Sequence, residues 1–206
     1  MAGGCLEATT ATDFWREVFG RRAPVEIEIG SGTGSFLLAA AKQRREINFL
    51  GIEHSRSRAE RLCALVESHG LDNVRVLHAP AQCVVEHLLP EASVSAYHIY
   101  FPDPWWKRRH HKRRLFTPAF GRALGRTLVP RGRVYVATDV LLVWTLAREC
   151  CVVHGGLELV AEKAPPRPVR TAFEQKGLAR GATIWEGTFE RKSSESPAWG
   201  NAAAPH

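Results

Sequence analysis

The sequence predicts one α/β domain built on a mostly parallel sheet with helices on both faces. Two observations predict it. Short apolar runs alternate along the chain with amphipathic stretches of helical period, the pattern of strands joined by crossover helices. The chain has 206 residues, 45% of them apolar, which is enough for one domain with a full core and short of two.

The elements follow in order. VEIEIG at 25–30 reads as the first strand and GSFLLAAAKQ at 34–43 as the first helix. NFLGIE at 48–53 is the second strand. Residues 56–70 form a helix with Leu62, Leu65 and Val66 on one face and Gly70 as its stop. VRVLH at 74–78 is the third strand, 81–89 a helix, and SAYHIYF at 95–101 the fourth strand. Thr117 is an N-cap followed by Pro118 at the first helical position, and this helix carries Phe120, Leu124 and Leu128 on one face. Pro130, Arg131 and Gly132 make a turn into a fifth strand at 133–139. A helix at 140–154, a strand at 157–163 and a closing strand at 184–192 complete a set of seven strands. Residues 1–12 are small and polar and read as loose; the tail 193–206, rich in Ser, Ala and Pro, reads as disordered. The domain is therefore expected over 1–192, with no internal repeat.

Composition narrows the function. No apolar run reaches the roughly 18 residues of a membrane helix, and the first residues have neither the basic nor the apolar segment of a signal peptide. The five cysteines, Cys5, Cys63, Cys83, Cys150 and Cys151, are odd in number, lack CxxC spacing and have no accompanying His cluster. That fits free thiols in a reducing cytoplasm and no metal site. The net charge is +7, and Lys107, Arg108, Arg109, Lys112, Arg113 and Arg114 supply six of it. Basicity this local predicts a docking patch for a polyanion.

In open parallel sheets ligands bind at the carboxyl ends of the strands, so the residues just after each strand carry the information. The first strand empties into Glu28-Ile-Gly30-Ser-Gly32-Thr-Gly34. Its third glycine comes one residue too early for the dinucleotide fingerprint, which disfavours an NAD-linked dehydrogenase, and no Gly-Lys-Ser/Thr follows to make a P-loop. Glu53 ends the second strand, where a carboxylate can accept both ribose hydroxyls of a nucleoside. After the fourth strand comes Phe101-Pro-Asp103-Pro-Trp105-Trp106, then the basic run. Two prolines fix the backbone around Asp103, and the tryptophans offer flat surfaces to a planar substrate.

The E-x-G-x-G-x-G loop resembles the first motif of class I S-adenosylmethionine-dependent methyltransferases. FPDPW followed by KRRHHKRR resembles the signature of the tRNA (guanine-N7)-methyltransferases. Ala137-Thr138-Asp139, the segment Arg167-Pro-Val-Arg170-Thr171-Ala-Phe173-Glu174, and the start Phe14-Trp15…Val18-Phe19-Gly20-Arg21…Pro24 are similar to further stretches of that family. The resemblance covers about residues 14–192. It implies a Rossmann-like class I fold, seven mostly parallel strands with an antiparallel C-terminal strand. It also implies methyl transfer from S-adenosylmethionine to N7 of a variable-loop guanine, guanine-46, of tRNA; no metal is expected, since no ligand set with metal spacing appears.

Residue by residue, the resemblance implies Asp103 as the catalytic acid. It implies Glu28, Gly30, Gly32, Glu53, Ala81 and Asp103 on the cofactor side, and Lys107, Asp139, Thr171, Phe173 and Glu174 on the substrate side. Trp105 or Trp106 would stack on the base or wall the pocket. Two positions depart from the family pattern: Pro80-Ala81 stands where many relatives have Asp-Ala, so only the Ala81 N–H remains for the adenine, and Ala172 replaces a usual Lys or Arg. The expected partner is tRNA, with no membrane and no obligatory protein partner, as a monomer or homodimer in the cytoplasm. Two other readings stay open: an amino-methyltransferase acting on adenine or an amide, and an RNA-binding protein without catalysis.

Overall fold

The computed structural model describes residues 10–170 and 172–193. The expected disorder of 193–206 falls almost wholly outside those residues. Seven strands form one sheet in the order β3-β2-β1-β4-β5-β7-β6. They are β1 (Val25–Ile29), β2 (Asn48–Glu53), β3 (Val74–His78), β4 (Val94–Tyr100), β5 (Leu128–Thr138), β6 (Leu157–Ala161) and β7 (Trp185–Arg191). The pairs β1–β2, β2–β3, β1–β4 and β4–β5 are parallel, and β7 runs antiparallel to both β5 and β6. The expected mixed sheet is thus present, with the closing strand inserted between its two predecessors.

The helices are α1 (Ala11–Phe19), α2 (Ser35–Gln43), α3 (Arg56–Ser68), α4 (Ala81–His87), α5 (Pro118–Thr127), α6 (Leu141–Arg148) and α7 (Ala172–Ala179). One apolar layer gathers Trp15, Phe19, Ile27, Ile29, Phe120, Leu124, Val136 and Phe189. The other gathers Phe36, Leu37, Phe49, Leu62 and Val74. Every residue of β1 and β2 is buried, as strands covered on both faces must be.

Several expectations change, among them Leu128, which opens β5 instead of continuing the helix begun at Pro118. Residues 11 and 12 are not loose: Thr10 caps α1 by accepting the Asp13 N–H at 3.1 Å, and Trp15 donates its indole N–H to the Ser93 carbonyl at 2.9 Å. The helix expected to reach Gly70 ends at Ser68. The turn at Pro130–Gly132 lies inside β5 as a bulge, with Arg131 at φ 65° and a register shift against β4 between Val94 and Ala96; an extra loop of strand is absorbed without breaking the pairing. The helix expected over 140–154 is α-helical only to Arg148, and Glu149–His154 widens into a π turn. Here Gly121 and Gly125 let α5 approach so closely that a Cβ on either would lie 2.2 Å from the Cys150 or Gly155 carbonyl oxygen.

Candidate active site

The chain leaves β3 at one edge and re-enters the sheet as β4 on the far side of β1. The switch point of this doubly wound sheet therefore lies between the carboxyl ends of β1 and β4. The glycine loop follows β1 and the Asp103 corner follows β4, so the two most informative motifs of the sequence flank one crevice.

Gly30, Gly32 and Gly34 all take left-handed φ values, 77°, 55° and 78°, which residues with a Cβ rarely adopt. Gly34 has a second reason to be glycine: a Cβ would lie 2.2 Å from Leu62 Cδ1. Beside Gly30 the corresponding space is open, leaving the backbone exposed to a ligand.

Glu53 is buried at the end of β2. Its Oε2 accepts the Gly32 N–H and its Oε1 the Ser55 N–H, both at 2.8 Å. The carboxylate thus shapes the glycine loop, and each oxygen retains acceptor capacity for a hydroxyl. Glu28, one strand away, is buried with its Oε2 lacking any hydrogen-bond partner. Burial pushes its carboxyl up to about 8, and the neighbouring Glu53 charge adds to the rise. A buried carboxyl with an orphaned oxygen in a ligand crevice suits a cationic group. With the Glu53 acceptors and the open glycine backbone, the donor set fits a nucleoside carrying a cation. Ala81 opens α4, which no side chain caps.

The Asp103 corner is strained at both ends. Phe101 and Trp105 take φ 51° and 45°, a region that costs bulky residues energy and that clusters at functional sites. Pro102 and Pro104 lie between, the Phe101 N–H donates to the Ala137 carbonyl at 2.7 Å, and Asp103 is presented exposed. Behind it, against Arg114, Phe116 and Val143, lies a hollow of only about 10 Å³. Trp105 is already engaged, with the Arg113 guanidinium carbon 5.0 Å from its ring centroid and His110 edge-on at 5.6 Å. Trp106 is 63% exposed. The basic run coils as a 3₁₀ helix, Arg108–Arg113. Among the described residues no ion pair engages Lys107, Arg108, Arg109, Lys112 or Arg113, so these charges face solvent unneutralised.

Asp139 is exposed just after β5. Its Oδ2 is 3.9 Å from where a Cβ on Gly177 of α7 would stand. Glu174, by contrast, is buried and held by Arg167, whose Nε and Nη2 donate to its two oxygens at 3.1 and 2.5 Å. Thr171 and the Phe173 side chain lie outside the described residues.

The sequence reading assigned no role to a buried polar chain beneath this edge. Glu26 Oε1 accepts from Arg44 at 2.7 Å, and its Oε2 lies 2.8 Å from His98 Nε2. His98 Nδ1 lies 2.9 Å from the Tyr100 hydroxyl. The carboxylate requires Nε2–H, so Nδ1 accepts from Tyr100. Burial lowers the His98 pKa and keeps the ring neutral. Burial would raise Glu26, but the bonds from His98 and Arg44 outweigh it and hold it below the usual range. His98 and Tyr100 sit two apart on β4, a signal visible in the sequence; their partners on β1 and in α2's C-cap were not. A groove of about 510 Å³ between α3 and β3, floored by Val66, Leu71 and Val74, touches none of these groups.

This sheet order and crevice define a methyltransferase-type α/β domain. The fold superposes on the 16S rRNA methyltransferase KamB with a TM-score of 0.64 at 18% identity, over 93% of this chain and 98% of that one, and on the aminoglycoside resistance methyltransferase NpmB1 with a TM-score of 0.59 at 18% identity, over 93% and 98%. A family described as "Putative methyltransferase" matches residues 22–187. The tRNA (guanine-N(7)-)-methyltransferase of Cupriavidus metallidurans is 39% identical over 188 residues, 86% of this chain and 70% of that protein. That of Methylococcus capsulatus is 38% identical over 183 residues, 84% and 78%. The chain belongs to the tRNA (guanine-N(7)-)-methyltransferase family.

Proposed function

We propose that this protein transfers a methyl group from S-adenosylmethionine to N7 of a variable-loop guanine in tRNA, the position guanine-46. The observation that carries this reading is the strained Phe101–Trp105 corner, which presents one acid on an open face between the cofactor crevice and an unneutralised basic helix. The family relation supports it, since the relatives are named for this reaction.

The cofactor, when bound, supplies a sulfonium methyl for in-line transfer. Glu28 takes the ammonium of its methionyl end, and this matches the orphaned buried oxygen. Glu53 would take the ribose hydroxyls, the backbone at Gly30 and Gly32 would face the ligand, and the Ala81 N–H would serve the adenine. Guanine N7 carries an in-plane lone pair, so no base is needed to free it. As the N7–carbon bond forms, the methyl–sulfur bond would break with its electron pair going to sulfur, S-adenosylhomocysteine would leave as a neutral thioether, and the positive charge would pass to the ring. Asp103 accepts from the guanine N1–H and amino group and stabilises that charge, while the corner fixes orientation. Trp106, the exposed ring, offers the stacking face. Lys107 and the 3₁₀ helix hold phosphates; Asp139, Thr171 and Phe173 belong to the substrate side, and Glu174, buried and forked by Arg167, serves that side by holding its wall rather than by touching the base. Such an enzyme works where tRNA matures, in the cytoplasm, and this chemistry calls on no metal.

The test is methyl transfer from labelled S-adenosylmethionine to unmodified tRNA, read by nucleoside mass spectrometry. 7-Methylguanosine is the expected product. Asp103→Ala should lower the rate by about 10²–10³, the usual cost of one charge-stabilising group, with tRNA affinity nearly unchanged. A methylated adenine or no product would overturn the reading; equal losses in rate and binding would reduce Asp103 to an RNA contact.

A further inference from the structure

β6 ends and β7 begins at the same carboxyl edge of the sheet, since Thr138 pairs with Trp185 and β7 is antiparallel to β6. A hairpin would join them in about two to five residues. Instead the chain spends residues 162–184 on a strap that leaves β6 and reaches back across β7 and β5 to β4. Arg167 marks how far it reaches. Its guanidinium carbon sits 5.0 Å from the centroid of the Tyr100 ring, at the last residue of β4 and immediately before the strained corner. Its Nε and Nη2 fork onto Glu174 of α7, and its Nη1 lies 3.3 Å from Glu186 Oε2 at the start of β7.

Both side chains of the Arg167–Glu174 pair are 7% exposed. Burying two charges costs desolvation that their attraction barely offsets, so a buried pair is a poor source of stability. What it does supply is a single geometry, because the guanidinium fork accepts a carboxylate in one plane. Tyr100 is itself held by its hydroxyl on His98, so the platform under Arg167 is fixed. The strap so held lays α7 beside Asp139, close enough that Gly177 faces its carboxylate.

We propose that Arg167 is a positioning residue for the acceptor: seated on Tyr100 and forked onto Glu174, it latches the 162–184 strap and α7 over the carboxyl ends of β4 and β5 and sets the wall against which the base meets Asp139 and the Asp103 corner. The role of the wall rests on the tRNA reading above; the latch itself does not.

The experiment uses full-length protein free of RNA, with three readouts: hydrogen exchange of the amides of α7, affinity for S-adenosylhomocysteine, and steady-state kinetics on unmodified tRNA. Arg167→Lys keeps the charge and loses the fork. The double variant Arg167→Met/Glu174→Met leaves neither member of the pair buried and uncompensated, and it serves where the single change fails to fold. The α7 amides should exchange about tenfold faster in both, as for a locally released segment. KM for tRNA should rise about tenfold, with kcat and S-adenosylhomocysteine affinity within about twofold, as a loss of uniform binding on one side of the site would give. Unchanged α7 exchange overturns the latch. A raised KM with α7 still protected also overturns it, because the pair would then touch the RNA itself. Parallel loss of S-adenosylhomocysteine affinity overturns it in favour of a general structural role. A wild type that methylates no tRNA defeats the functional reading alone, and faster α7 exchange would still uphold the latch.

Discussion

The Glu53 carboxylate accepts the N–H of Gly32 at 2.8 Å, so the acid that ends β2 holds the loop that ends β1. One side chain thus shapes the floor of the crevice and, on the function proposed above, is also its diol acceptor. Glu53→Ala should lose both functions. Removing a hydrogen-bonded buried carboxylate costs about 1–3 kcal/mol, and S-adenosylhomocysteine affinity should fall by about 10²-fold, since two charge-assisted bonds are lost. Calorimetric titration checks this; an unchanged dissociation constant would place the ribose elsewhere.

With Glu28 holding the cofactor's ammonium, as proposed above, cofactor binding should depend on pH. The Glu28 carboxyl is raised from 4.5 to about 8 by burial, so the folded protein keeps a proton that the unfolded chain releases. Its contribution to stability is complete below about 4.5, declines as pH rises and is gone above about 8. A cation favours the ionised form, so binding at pH 7 should release a proton, and affinity should climb up to about pH 8. Titration in buffers of different ionisation enthalpy reads the proton directly. In Glu28→Gln the release should vanish and the melting temperature at pH 8 should exceed the wild type's.

His98 should act in the opposite direction on the acid side. Burial keeps it neutral, whereas an unfolded histidine gains a proton below about 6.5. Stability from this group is present above that pH and is lost as pH falls. Glu26, held below its usual range, adds a loss at lower pH still. Denaturant unfolding followed against pH should show the decline. Nitrogen chemical shifts should report a neutral ring protonated at Nε2; protonation at Nδ1 would contradict the Glu26–His98–Tyr100 chain.

Glutamine at Arg108, Arg109 and Arg113 should weaken binding of every tRNA alike and flatten its salt dependence, each lost phosphate contact lowering the slope by about 0.7–0.9. Arg113 differs from the other two because it also covers the Trp105 ring. Its loss should change tryptophan fluorescence in the free protein, while Arg108→Gln should not. A salt slope equal to the wild type's in the triple variant would put the RNA on another face.

The sequence on its own determined what depends on near neighbours. Strand positions followed from alternating apolar runs, because a sheet buried on both faces admits little else. The glycine loop followed from its spacing, and the Asp103 corner from two prolines around one acid and its family likeness. α1 was missed: its signals, the Thr10–Asp13 capping spacing and the Trp15–Phe19 pair, were masked by the small polar residues before them. The rest depended on partners far apart in the chain. The insertion of β7 between β5 and β6, the bulge at Arg131, the Glu26–His98 contact and the seat of Arg167 on Tyr100 were decided by the tertiary structure. Local pattern records which way a side chain faces and where the backbone turns; only the assembled sheet decides which distant group it meets.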